Sequence, residues 1–301
     1  TSDGHRLRYD RLMPDFHELA GLLEDSNLGS LTRTPRRVAG GDTAAAFCVE
    51  TDEGRFFAKR ASPTHQSQLQ SEAFALTRIA ETDSIAVPEV VLCEASGSAV
   101  WLLIEWLDLQ ALDSVTERAL GRALASLHRN TASEFGWPET NWLGGSLQFN
   151  SPRNSWSEFF ATQRLEPQLK WALDQGHGEC LQDHGKRLLE QLPDLLADHH
   201  PEPSLVHGDL WSGNAASTRS GIPVVFDPAA HFGDRESDLA MMQLFGGFGP
   251  GCFAAYAESW PLPAGHEQRL PLYQLYHLLN HLNLFGSAYL PRCLSVMQSL
   301  S

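Results

Sequence analysis

The stretch Leu205-Val206-His207-Gly208-Asp209-Leu210-Trp211-Ser212-Gly213-Asn214, followed by Val224-Val225-Phe226-Asp227, constrains this chain more than any other. It sets a carboxylate, an amide and a second carboxylate in fixed order, with apolar runs before and between them. A loop with Asp209 at one end and Asn214 at the other can aim the carboxylate at a hydroxyl proton while the amide oxygen meets a cation. Asp227 follows the run Ile222 to Val225, interrupted only by Pro223, so it is expected at a strand end, projecting toward the same place. Such oxygen ligands suit a hard cation such as Mg²⁺. Singly, His-Gly-Asp is a turn and Asp227-Pro228 closes a strand; jointly and in this order they point to chemistry.

Protein kinases carry H-R-D-L-x-x-x-N on the catalytic loop and a later Asp that holds metal. Asp209, Asn214 and Asp227 fit those base and metal positions. Kinase chemistry also needs a cation on the nucleotide phosphates and a carboxylate on the next helix to hold it. Lys59, in the strand Arg55-Phe56-Phe57-Ala58-Lys59, and Glu72, on the helix that follows, fit these roles. Gly40-Gly41-Asp42-Thr43 lies between two strands, and its glycines can bring backbone N–H groups close to phosphate. It matches neither G-x-G-x-x-G nor the Walker pattern, and a plain hairpin turn would also explain it. Leu103-Ile104-Glu105-Trp106-Leu107 can offer main-chain hydrogen bonds to adenine, with Glu105 and Leu107 as candidates.

A chain of 301 residues, 42% hydrophobic and 20% charged, is long enough for one large domain or two lobes. No apolar run approaches the ~20 residues of a membrane span, and the polar opening Thr1 to Asp10 gives no support for export. A net charge of −15 argues against a nucleic-acid surface. Five scattered cysteines without a C-x-x-C pair argue for a reducing cytoplasm. Oligomeric state is left open.

The pattern predicts an α+β, bilobal chain: a small β-rich lobe over 1–107, binding nucleotide, and a larger, mainly helical lobe over 108–301, binding the acceptor. Helices are expected at Met13–Asp25, Gln66–Ala80, Val115–His128, Trp156–Asp174, Cys180–Leu196, Ser237–Leu244 and Gln268–Leu290. The Gly-, Asn- and Trp-rich segment from Gly136 to Arg153 is expected as a loop over the cleft.

With these residues assembled, the chain resembles the fructosamine kinase (ketosamine-3-kinase) family, a branch of the protein-kinase-like fold related to aminoglycoside phosphotransferases. The resemblance rests on His207 to Asn214, Phe226-Asp227-Pro228-Ala229, Gly233 to Met241, Leu244-Phe245-Gly246-Gly247-Phe248 and Leu275 to Gly286. It implies ATP-dependent phosphorylation of the 3-hydroxyl of a ketosamine, free or borne on a protein lysine, and hence deglycation. It gives Asp209 the base role, Asn214 and Asp227 the metal roles, and Lys59 with Glu72 the phosphate clamp. Asp238 resembles the helix-start Asp that braces the catalytic loop.

Two departures stand out. Protein kinases usually place Lys two residues after the catalytic Asp, where this chain has Trp211, an aromatic face suited to a sugar or polyol. Some family members carry a Cys in the phosphate loop, and Gly40 to Ala46 has none. His277 and His281 recur at helical spacing among leucines with Asn280 and Asn283. They are taken with Trp211 and Asp234 as lining the acceptor side, although Asp234 can equally be salt-bridged scaffold. Another small-molecule hydroxyl kinase, of the aminoglycoside or choline type, and an inactive kinase-fold binding protein are the competing readings.

Overall fold

The computed structural model describes residues 16–40 and 44–300. Gly41, with Asp42 and Thr43, lies outside the described residues, as does the start of the helix expected from Met13. The described chain divides into two compact units.

The first holds the described residues up to Gln66 together with Val91–Trp106. Its sheet runs in the order β1 (Arg36–Arg37), β2 (Ala45–Glu50), β3 (Arg55–Ala61), β5 (Ala99–Glu105), β4 (Val90–Ser96). Apolar residues on alternate strand positions meet α1 (His17–Asp25), whose Leu19, Leu22 and Leu23 fall on one helical face. They form a core with Phe47, Val49, Ala58, Trp101 and Leu103. Lys59 follows Ala58 and therefore points to the opposite sheet face.

The second unit holds Ser67–Val90 and everything from Leu107. α2 (Gln66–Ala80) packs there, with Ala75 and Ile79 sharing a core with Leu120, Leu124 and Val225. α3 (Ser114–His128) starts on a capping box between Asp113 and Thr116. It crosses α8 (Pro250–Ser259) so closely that a Cβ on Gly121 would overlap the Cys252 carbonyl. A second core joins α4 (Trp156–Phe159), α5 (Glu166–Asp174), α6 (Glu179–Leu195), α7 (Glu236–Leu244), α9 (His266–Phe285) and α10 (Leu290–Ser299). Short strands carry the loops of interest: β6 (Leu109–Gln110), β10 (Ala215–Thr218) and β11 (Pro223–Val225) form one sheet. β9 (Ser204–Val206) pairs with β12 (His231–Gly233), and β7 (Asn141–Leu143) with β8 (Ser146–Gln148). No helix among the described residues is long and apolar enough to cross a membrane.

Three expected elements differ in the structure. The helix expected over Gln268–Leu290 ends at Phe285, because Gly286 takes φ +94 and stops it; α10 follows. The helix expected over Trp156–Asp174 contains a π-helical turn, Phe160–Leu165, which buries Phe160, Arg164 and Leu165. Gly136 to Arg153 is not an open loop but holds the β7–β8 hairpin. α8 was not expected at all.

Candidate active site

β9 delivers His207-Gly208-Asp209, and Gly208 is required there: it adopts φ +83, and a Cβ would overlap the Ala229 carbonyl. Buried His207 donates from Nε2 to the Phe226 carbonyl (3.1 Å) and accepts the Asp209 N–H at Nδ1 (3.3 Å). Burial lowers its pKa against the pull of Asp238, which keeps the ring neutral in that tautomer. The Asp238 carboxylate accepts from the backbone N–H of His207 (2.7 Å) and Gly208 (2.8 Å) and from His128 Nε2 (3.0 Å). Burial alone would raise the pKa of Asp238; its hydrogen bonds, that from His128 first and then that from the Gly208 N–H, outweigh it and hold the carboxyl below its usual range. Behind it, the Tyr256 hydroxyl donates to His128 Nδ1 (2.8 Å) and accepts from Arg235 Nη1 (3.1 Å). The helix-start brace implied by the resemblance is thus the front of a buried relay.

Asp209 is half-buried. A single 3₁₀ turn, Ser212–Asn214, brings Asn214 back so that its Nδ2 donates to the Asp209 carbonyl (2.9 Å) and, more weakly, to its Oδ2 (3.4 Å). The amide nitrogen is thereby committed, and Oδ1 is the atom of Asn214 left to meet a cation. Pairing of Ala215 with Val225, and the Phe226 N–H bond to the Asn214 carbonyl (3.1 Å), set Asn214 and Asp227 at the same end of one hairpin. Asp227 takes φ +58, a left-handed conformation that non-glycine residues adopt at some cost and that recurs at functional sites.

Trp211 is 39% exposed and is not core. Its ring lies against Gly213, where a Cβ would overlap it, and Gly247 approaches Ser212 equally closely. The Leu244 to Phe248 block therefore borders the catalytic loop, and only glycine fits at the contact.

On α9, the Tyr276 hydroxyl donates to Gln148 Oε1 (2.9 Å). Burial, with Arg164 opposing and the Asp209 charge adding, pushes the Tyr276 phenol up to about 12. His277 is buried, and its Nδ1 has no hydrogen-bond partner among the described residues. Burial, then His281, brings its pKa down to about 3. His281 donates Nδ1–H to the His277 carbonyl (2.8 Å) and sits among Phe245, Phe285 and Tyr289.

The buried neutral His277 predicts an acid-labile fold. Its folded pKa lies below the unfolded value of 6.5, so the unfolded chain binds the extra proton; stability is intact above pH 6.5 and falls as pH drops toward about 3. His277→Phe should flatten that fall by up to about 1.4 kcal/mol per pH unit. Urea unfolding at several pH values checks this, and parallel slopes would refute it.

Asp234 belongs elsewhere than the acceptor side. It is 1% exposed, and its carboxylate takes the His199 ring (2.6 Å), the Tyr273 hydroxyl (2.5 Å) and the Glu236 N–H (3.0 Å). It borders a separate cavity of about 530 Å³ whose lining includes His199, Glu236 and Trp260 but not Asp209, Asn214 or Asp227. The ligating atoms of His199, Asp234 and Glu236 lie within 4.8 Å of one another, yet Arg269 forks onto both Glu236 oxygens at 2.7 and 2.8 Å. That positive charge makes the group a scaffold of ion pairs, the alternative left open for Asp234.

Lys59 is 4% exposed in β3, opposite Ala46 and Leu102. Gly40 has φ +135 and lies against the Phe57 ring, and Glu105 ends β5 exposed to solvent. In the second unit, Glu72 is half-buried on α2 and Leu107 is half-buried at the first position after Trp106.

Residues not anticipated are His128, Tyr256, Gln148, Arg164 and Tyr276. For Gln148 a signal existed: Ser146 to Asn150 alternates polar and apolar residues at strand period.

A protein of Vibrio parahaemolyticus named "Probable ketoamine kinase" is 40% identical over 84% of this chain and 88% of its own length. The chloroplastic protein-ribulosamine 3-kinase of Arabidopsis thaliana is 34% identical over 94% of this chain and 90% of its own. Among solved structures, one from Thermobifida fusca superposes with a TM-score of 0.84 at 30% identity, covering 94% of this chain and 98% of that one. The aminoglycoside phosphotransferase APH(4)-Ia, in ternary complex with AMP-PNP and hygromycin B, superposes at 0.65 and 17% identity, covering 95% and 99%, and shares the protein-kinase-like α+β fold. The family model for fructosamine kinase matches residues 19–301, and the chain belongs to the fructosamine kinase family.

Proposed function

We propose that this chain transfers the γ-phosphoryl group of ATP to the 3-hydroxyl of ketosamines, free or carried on protein lysines, in the cytoplasm. The observation that carries the reading is the setting of Asp209: a half-buried carboxylate on a loop whose backbone is pinned by buried Asp238 and whose own carbonyl is tied to Asn214. A base held this way is oriented before the substrate arrives. Asp209 takes the proton of the 3-hydroxyl as that oxygen bonds to the γ-phosphorus, and the bond from phosphorus to the β,γ-bridging oxygen breaks to release ADP.

Asn214 Oδ1 and the Asp227 carboxylate are hard oxygen donors at one hairpin end, and they fit Mg²⁺. When bound, Mg²⁺ neutralises charge on the phosphates. Lys59 and Glu72 keep the phosphate-clamp role that the resemblance implies, Gly40, Glu105 and Leu107 the nucleotide contacts read from their local sequence, and the exposed indole of Trp211 forms a wall for the sugar or polyol, with His277 and His281 on the acceptor side. Loss of the sugar from the unstable 3-phosphate makes the outcome deglycation.

Mass spectrometry of ribulose-, fructose- and erythrulose-lysine incubated with Mg-ATP tests the reading; a gain of one phosphate on the sugar is expected, and its absence from all three would overturn it. Trp211→Ala should weaken transition-state binding of ketosamine by about 1–3 kcal/mol, or one to two decades in kcat/KM, with far less effect on nucleotide affinity. Equal losses toward ketosamine and water would instead make the indole a support of the loop.

A further inference from the structure

β8 inverts the usual polarity of a half-buried strand. Ser146, Gln148 and the following Asn150 are polar and 2%, 1% and 2% exposed, whereas Leu147 and Phe149 between them are 48% and 42% exposed. A strand with one wet face ordinarily hides its apolar residues and shows its polar ones. Trp142 on β7 stands directly opposite Leu147, so Trp142, Leu147 and Phe149 share one outward face.

The inward face is bonded to the active site. Gln148 Nε2 donates to the Ala229 carbonyl (3.0 Å), the same group that packs on Gly208, and Gln148 Oε1 accepts from Tyr276. Buried Arg164 donates to Asn150 Oδ1 (2.8 Å) and to the Phe149 carbonyl (2.5 Å), and no carboxylate among the described residues is a hydrogen-bond partner of it. Desolvating a whole guanidinium and three polar side chains is costly, and apolar side chains would hold a hairpin with less. What the arrangement secures is an exposed apolar face on the outer side of a hairpin whose inner side is fixed to Ala229, next to Gly208.

We infer that this face docks the carrier of a protein-borne ketosamine, through apolar side chains flanking the modified lysine. The inference rests on the function proposed above and adds the determinant of carrier choice. A lysine's four-carbon stem sets the carrier backbone out from the sugar that reaches Asp209, and β8, bonded through Gln148 to Ala229, whose N–H in turn bonds the His207 carbonyl (2.9 Å), is the element we assign to meet it. Three side chains, each worth about 150–250 Å² at most, suit a short extended segment. With Leu147 48% and Phe149 42% exposed, only about half of that area is left to cover, roughly 225–375 Å² on one copy or 450–750 Å² over two, short of the ~1,000 Å² that a stable interface between two folded copies requires.

The test compares three acceptors, each bearing one ribulosyl-lysine: the free amino acid, a peptide with leucines flanking the lysine, and the same peptide with serines there. The unsubstituted chain should show kcat/KM at least about fivefold higher for the leucine-flanked peptide than for the serine-flanked one, the scale of one or two buried methylenes. Leu147→Ser with Phe149→Ser should abolish that preference while activity on free ribulosyl-lysine changes less than about twofold. No preference in the unsubstituted chain, a preference that survives the double variant, or an equal loss on all three acceptors would each overturn the inference. Equal loss accompanied by a change from dimer to monomer in sedimentation would assign the face to a second copy instead. Failure of the unsubstituted chain on every acceptor would overturn the proposed function together with this inference; the ratio between peptides bears on this inference alone.

Discussion

Asp209→Asn should lower turnover on ketosamine by ~10²–10⁴-fold, the range expected for losing a positioned general base, while nucleotide affinity stays close to that of the unsubstituted chain. The substitution is nearly isosteric. The carbonyl that ties Asp209 to Asn214 belongs to the backbone and survives, as does the backbone N–H that reaches His207 Nδ1. The loop therefore keeps its shape, and what disappears is the capacity to take a proton. An effect on kcat with little change in KM for ATP would match that, since the interaction is made in the transition state. Single-turnover rates and nucleotide titration in the same preparation measure both. Near-normal turnover in a pure variant would remove Asp209 from the base role.

The parts of this site that were legible in the sequence are those whose chemistry requires fixed spacing. Asp209 and Asn214 sit five positions apart because one 3₁₀ turn must bring the amide back to the carboxylate, and Asp227 follows a strand whose partner begins at Ala215. Such local geometry writes itself into neighbouring residues. The relay behind the loop does not: His128 and Tyr256 are separated by 128 positions, and nothing near either reveals the other. The β7–β8 hairpin stayed hidden for a different reason. Sequence patterning assigns apolar residues to the inside, and β8 does the reverse, so its alternation pointed to no buried face. α8 begins Pro250-Gly251 and packs its backbone at Cys252 and Tyr256 against Gly121, a close helix crossing that leaves no strong amphipathic stripe to find. At Gly286 the stop signal was present, but the apolar residues that continue past it masked the break.

Asp238→Asn should be the most damaging substitution outside the reacting groups, costing about 2–4 kcal/mol of stability and lowering turnover along with it. Asp238 has two oxygens and three donors: His207 N–H at 2.7 Å, Gly208 N–H at 2.8 Å and His128 Nε2 at 3.0 Å. Oδ2 serves two of them and Oδ1 the third. An amide supplies one acceptor and turns its other terminus into a donor, so at least one buried N–H faces an N–H, at a cost of about 1–3 kcal/mol per unsatisfied group and more where a charge-assisted bond is lost. The sign of the pH dependence separates this account from simple packing. The carboxyl is held below 3.8 in the folded chain, so its contribution is complete above pH 3.8 and is lost as pH falls through the folded value. The stability gap between the unsubstituted chain and the variant should therefore be constant at neutral pH and shrink only on acidification below about that point. Denaturant unfolding at pH 7 together with an acid-unfolding series measures it. A gap that stays the same into the acid range would mean that volume rather than charge is what Asp238 contributes. If the brace acts through charge, Tyr256→Phe, which strips the donor from His128 Nδ1 and leaves Arg235 Nη1 without that acceptor, should reproduce a smaller version of the same loss in kcat with KM for ATP unchanged.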